Sequence, residues 1–212
     1  YPLFEYAPYE TALTSKLVDV ALFENLDLVH VHYAIPHASV AYMARKIMES
    51  QGKKLPFITT LHGTDITLVG KNESYNPVVT FAINESDAVT SVSESLKKDT
   101  YSNFAICKEI DVIPNFIDLT RFNKQRKDHF KKAIAPNGEK LIVHASNFRP
   151  VKRTSDVIRV FNKIAEKIPS KLLFIGDGPD RTKLEKEARE TTYGEHIRFL
   201  GKIDVVEEVL SV

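Results

Sequence analysis

The chain has 212 residues, 43% of them hydrophobic, enough for one large core or two modest ones and too many for a disordered chain. Its 29 basic and 28 acidic residues leave a net charge of +1, so no overall field points to a nucleic-acid partner or an anionic membrane surface. The single cysteine, Cys107, allows neither an internal disulfide nor a cysteine zinc site, and it reads as a small buried hydrophobe in a reducing cytosol.

The opening "YPLFEYAPYE" lacks the basic-then-apolar order of a signal peptide, and no apolar run approaches the roughly 18 residues of a membrane span. A soluble cytoplasmic protein without stable membrane insertion is therefore expected.

Short β-branched runs alternate with stretches of helical period. Residues 10–24 read as a helix with Leu13, Leu17, Val20 and Ala21 on one face. "LDLVHVH" (26–32) reads as a strand, and a helix follows at 36–50, opened by Pro36. "LPFITTLH" (55–62) and "DAVTSVS" (87–93) are further strands, then a helix at 94–104 and the strand "EIDVIPN" (109–115). Residues 118–140 are charged and end in Pro136-Asn137-Gly138, which marks a domain boundary. Its Lys and Arg read as a solvated face.

The alternation then restarts. Strands are expected at 140–147, 170–178 and 196–202, with helices near 153–168, 180–192 and 204–212. This order predicts parallel βαβ units, an α/β fold of two doubly wound domains. The expected division is 1–118, a linker at 119–139, and 140–212.

In open α/β sheets, ligands sit beyond the carboxyl ends of the strands. His32 and Tyr33 stand at the first such end, His62-Gly63-Thr64-Asp65 at the second, Ser91 and Ser93 at the third, Asn115 at the fourth. In the second series the ends carry Ser146 and Asn147, then Gly176-Asp177-Gly178, then Gly201. Any one of these suits a cap or a turn. Together they favour a site lying between two sheets.

Gly176 and Gly178 suit either a close approach to a nucleotide or a tight β-to-α turn, and the GxGxxG fingerprint is absent. Arg149, Lys152 and Arg153 crowd the loop before a helix, where cations and the helix dipole act together on a phosphate. His30, His32, His62 and Asp65 raise a rival, a metal-dependent hydrolase. No HExxH or carboxylate set completes such a site, and His30 reads as a satisfied core histidine.

"HVHYAIPHA" (30–38), "TTLHGTDIT" (59–67), "VIPNFID" (112–118), "SNFRPVKR" (146–153) and "FIGDGP" (174–179), in this order, resemble the retaining glycosyltransferases of family 4. The resemblance is to the malate-using branch that serves bacillithiol biosynthesis. It implies the GT-B fold of two Rossmann-like domains, both incomplete here because the family's first strand with its glycine-rich loop and its later glutamate pair are not in the sequence. Such a piece is expected to be inactive by itself and to expose sheet edges that invite homo-oligomerisation.

The activity implied is transfer of N-acetylglucosamine from UDP-N-acetylglucosamine to L-malate, with retention, no cofactor and no metal. His62 resembles the catalytic histidine beside the sugar. Tyr33, Thr64 and Asp65 correspond to acceptor-side residues. Gly63, Asn147, Arg149, Lys152, Gly176, Gly178 and Leu200 correspond to the donor side, with Lys152 on the diphosphate. Asn147 stands where many members of the family have arginine.

Overall fold

A computed structural model of the chain describes residues 8–68, 72–124 and 128–211. Tyr1–Ala7, residues 125–127 of the basic segment and the last residue of the helix expected at 204–212 lie outside them. The chain divides into two compact units, Tyr1–Phe116 and Ile117–Val212.

The first unit runs α1 (Tyr9–Phe23), β1 (Val29–His32), α2 (Ser39–Ser50), β2 (Phe57–Leu61), α3 (Asn76–Glu85), β3 (Ala88–Ser91), α4 (Glu94–Asn103) and β4 (Ile110–Val112). Its four strands are parallel and lie in chain order, with His32 level with Thr60 and Thr60 level with Thr90. Alternation puts Phe57, Thr59 and Leu61 on one face of the central β2, and all three are fully buried. Burying a side chain such as Phe57 or Leu61 contributes about 1.5–3 kcal/mol.

At the amino ends of β2 and β3, Arg45 of α2 fastens the sheet to its helices. Its guanidinium lies 4.9 Å from the Phe57 ring centre and 5.2 Å from that of Tyr42, and it pairs with Glu85 at 3.0 Å and Asp87 at 3.4 Å. Asp87 also accepts the Phe57 amide at 2.8 Å. Helix α2, strand β2 and the segment after α3 thus share one charge-assisted junction.

Two helices of this unit differ from the sequence reading. Helix α3 was not expected, because Val78, Val79 and Thr80 are β-branched; Pro77 in its first turn and the buried Val79, Ala82 and Ile83 explain it. In α1 the buried stripe is Thr14, Val18 and Ala21, and Leu13, Leu17 and Val20 flank it on a groove of about 480 Å³ beside β1.

The second unit holds α5 (Asp128–Ile134), β5 (Lys140–Ala145), α6 (Thr154–Ala165), β6 (Ser170–Ile175), α7 (Arg181–Arg189), β7 (Ile197–Gly201) and α8 (Val206–Leu210). Its three strands are parallel in chain order. The segment expected as a linker belongs to this unit: Ala135 is buried, and Lys171 of β6 donates to the Ile134 carbonyl at 2.8 Å. Helix α6 buries Thr154, Ile158 and Phe161, spaced by four and three. Phe174 and Phe199 stack at 4.9 Å, and Phe148 meets Phe174 edge-on at 5.7 Å.

Cys107 is exposed, not buried as its residue type suggests; its thiol donates to Asn84 Oδ1 at 3.2 Å. Among the described residues no helix is long and apolar enough to cross a membrane.

Candidate functional site

The carboxyl ends of β1 and β2 carry an imidazole cluster. His30 and His32, two apart on β1, point to the face shared by Thr60 and Thr90. His30 Nε2 meets Thr60 Oγ1 at 2.7 Å, and Thr60 Oγ1 meets Thr90 Oγ1 at 2.7 Å. His30 is therefore satisfied, but it is exposed and not a core residue. His32 Nδ1 lies 2.8 Å from His62 Nε2, and the Tyr33 ring stands 5.1 Å from that of His62.

Two unusual backbone positions turn these side chains together. Tyr33 has φ +79°, and its amide still bonds the Thr60 carbonyl at 2.9 Å, so β1 turns sharply just after its last pairing. Ile35, held extended by the following Pro36, leads into a short turn over Ala34–Ala38 before α2. After β2, Gly63 has φ +118°, a conformation that suits glycine. The chain then winds through Thr64–Leu68.

Asp65 fixes these two turns relative to each other. It is 2% exposed, and its Oδ2 accepts the Ala34 amide at 2.8 Å while Oδ1 accepts the Gly63 amide at 3.0 Å. Its carboxylate faces the backbone, so its part is to hold His62 and Tyr33 in place from beneath. Thr64 is exposed on the outer side of the turn.

The His62 imidazole is held below the usual histidine range, first by burial and then by the neighbouring His32; Asp65 opposes this. At neutral pH the ring is therefore uncharged. The set His30, His32, His62 and Asp65 does not converge: two of its rings bond each other, one bonds a threonine, and the carboxylate serves two amides. Among the described residues no group of three or more His, Cys, Asp or Glu could hold a metal ion. Ser93 caps α4 by accepting the Leu96 amide at 3.1 Å, and Ser91 is buried, so the third strand end is structural.

In the second unit the basic loop is anchored by Phe148, which is fully buried. The Phe148 amide bonds the Asp177 carbonyl at 3.0 Å, and its carbonyl accepts the Asp180 amide at 3.1 Å. A methyl at Gly178 would stand 2.5 Å from the Phe148 oxygen, and one at Gly176, where φ is +120°, would collide with the Ser146 carbonyl. Both glycines thus let protein backbone approach protein backbone, as a tight β-to-α turn requires.

This anchorage leaves Asn147, Arg149 and Lys152 exposed at the start of α6. Among the described residues neither Arg149 nor Lys152 has a carboxylate partner, whereas Arg153, at φ +49°, pairs with Asp156 of its own helix. Lys152 also acts on His144, which the sequence reading missed: burial first, then the Lys152 charge, holds that imidazole below its usual range. His144 Nε2 meets Ser146 Oγ at 2.8 Å. Leu200 sits at a bulge, because Phe174 pairs with Phe199 and Ile175 with Gly201; the extra residue leaves its side chain 38% exposed.

Residues 1–121 match the profile of Glycosyltransferase Family 4, and residues 125–212 match that of Glycosyl transferases group 1. The whole chain is 42% identical to N-acetyl-alpha-D-glucosaminyl L-malate synthase of Bacillus anthracis and spans 55% of that protein's length. In three dimensions it is similar to the Anabaena HepE protein in complex with UDP and glucose, with a TM-score of 0.76 over 94% of this chain and 54% of that one at 15% identity. It also resembles sucrose-phosphate synthase from Thermosynechococcus elongatus, with a TM-score of 0.70 over 97% of this chain and 54% of that one at 18% identity. These neighbours fix the fold class as α/β with parallel sheets, of the GT-B type. As the first profile covers more than half of the sequence, the chain belongs to glycosyltransferase family 4.

Proposed function

We infer that the protein is a retaining glycosyltransferase that moves N-acetylglucosamine from UDP-N-acetylglucosamine to the hydroxyl of L-malate, as a cytoplasmic step of bacillithiol biosynthesis. The 42% identity with the malate synthase along the whole chain supports these substrates. The observation that carries the chemistry is the uncharged imidazole of His62, fixed at a strand end between His32 and Tyr33.

In such a transfer the bond from the anomeric carbon to the phosphate oxygen breaks, and a bond to the malate oxygen forms on the same face. The hydroxyl proton leaves with the departing diphosphate. Positive charge develops on the sugar as the bond opens, so a nearby ring must not itself be cationic. A neutral His62 meets that condition and can hydrogen-bond the sugar hydroxyls. The opposite need, a cation for the leaving diphosphate, is met by Lys152, with Arg149 beside it on the Phe148-anchored loop. Each charge-assisted bond contributes roughly 1.5–3 kcal/mol, which supports a transfer without a metal.

The test is product analysis of the natural-length protein given UDP-N-acetylglucosamine and L-malate in the presence of a chelator. An α-linked N-acetylglucosaminyl malate with stoichiometric UDP is expected. A β-linked product would refute retention, and no product with malate but turnover with another alcohol would refute the acceptor.

A further inference from the structure

We propose that His32 is a positioning residue for His62: it holds the orientation of the His62 ring, ties the tautomer of that ring to its own and leaves Nδ1 as the nitrogen that meets the ligand. This rests on the role given to His62 above.

His32 Nδ1 and His62 Nε2 are 2.8 Å apart, and a bond between two neutral imidazoles needs one hydrogen between them. The tautomer of one ring therefore dictates that of the other. Nε2 of His62 is committed to this bond, and among the described residues Nδ1 has no hydrogen-bond partner.

His32 can impose its geometry because it is itself held. Its carbonyl accepts from His37 Nδ1 at 2.5 Å, and the next amide, of Tyr33, is bonded to β2. Its ring lies between those of His30, at 4.8 Å, and His62, at 5.0 Å. The Tyr33 ring limits His62 from another direction. An unheld histidine at the end of a strand would flip its ring freely; here a flip would break the bond, so the orientation is kept and the two rings change tautomer only together.

The titratable groups around His62 are His32, His30, Tyr33 and Asp65, with His37 behind Tyr33. One added proton leaves an imidazolium donating to an imidazole. A second would place two N–H groups face to face and break the pair, so low pH disrupts the arrangement.

The decisive experiment is nitrogen-15 NMR of the histidines in this chain, with kinetics on the natural-length protein. The unaltered chain should show His32 Nδ1 and His62 Nε2 as one hydrogen-bonded pair. His32→Leu should uncouple the His62 tautomer and free its ring to flip, and it should raise the His62 pKa, since the neighbouring imidazole that holds it down is removed. His32→Asn, whose amide can stand near the place of Nδ1, should restore the bond while still raising the pKa. In turnover, His32→Leu should lose up to about 100-fold in kcat at unchanged donor KM, and His32→Asn should recover most of it. Should H32L fail to fold, H32A carries the same readout. A His62 spectrum and acid limb indifferent to His32 would overturn the proposal even in an active enzyme. Absence of transfer by the unaltered protein would instead sink the transferase reading, and the tautomer result would stand apart from it.

Discussion

Asp65 and Ala34 are joined by a 2.8 Å bond from the Ala34 amide to a carboxylate that is 2% exposed, and the same side chain holds the Gly63 amide. One buried group therefore sets the turns that carry both Tyr33 and His62. Replacing Asp65 with Asn keeps the volume but leaves one acceptor for two donors. The expected cost is about 1–3 kcal/mol of stability, the penalty for an unsatisfied buried polar group. Urea denaturation measures it; an unchanged midpoint would show that water or a shifted backbone replaces the bond.

Gly176 and Gly178 sit where the β5 and β6 turns touch, and both are expected to resist any side chain. Gly176→Ala adds a disfavoured φ and a backbone collision, so it should destabilise by at least about 1–3 kcal/mol. Thermal melting of Gly176→Ala and Gly178→Ala tests this. A melting point within a degree of the parent would contradict the contact with Ser146 and Phe148.

Lys152 stands on the loop anchored by Phe148 and bears a charge with no carboxylate partner among the described residues. Lys152→Ala should weaken UDP binding by roughly 10- to 100-fold, one lost charge-assisted hydrogen bond. It should also raise the His144 pKa, though burial remains the larger depressing cause. Calorimetry with UDP and a proton NMR titration read the two effects. A His144 titration that does not move would separate the two residues.

His62 and His144 both resist protonation in the folded chain because burial disfavours the imidazolium. Near pH 6.5, the usual histidine value, the unfolded chain takes up protons that the folded chain does not. Stability is thus fully present above that pH and is lost as pH falls through it toward the folded values. Urea midpoints should decline between about pH 7 and pH 5.5. Replacing both residues by Gln should flatten that limb, and a midpoint that rises on acidification would contradict the account.

How much of this was legible in the sequence depends on the kind of contact. His62 and Tyr33 stand at strand ends and Lys152 on the loop between a strand and the next helix, and the alternation of β-branched runs with helical periods was enough to find those places. What each side chain does there was not legible. Asp65 turns inward and the His32–His62 bond forms because Tyr33 and Gly63 adopt positive φ, and periodicity carries no information about two such turns. That Gly176 and Gly178 are pressed against Ser146 and Phe148 was not legible either, because those contacts come from another strand's turn. Helix α3 was hidden by β-branched residues whose burial outweighs their poor helical preference. Arg153 shares the basic loop with Lys152 in the sequence, but Asp156, in the first turn of α6, pairs with it.

Whether His62 works on the sugar or on the nucleotide is decided by His62→Ala in the natural-length protein, with kcat and the Kd for UDP measured on the same preparation. Turnover should fall by about 100-fold or more, the scale of one lost transition-state contact, while UDP binds as before. Unchanged turnover, or a loss confined to UDP affinity, would overturn the role given to His62.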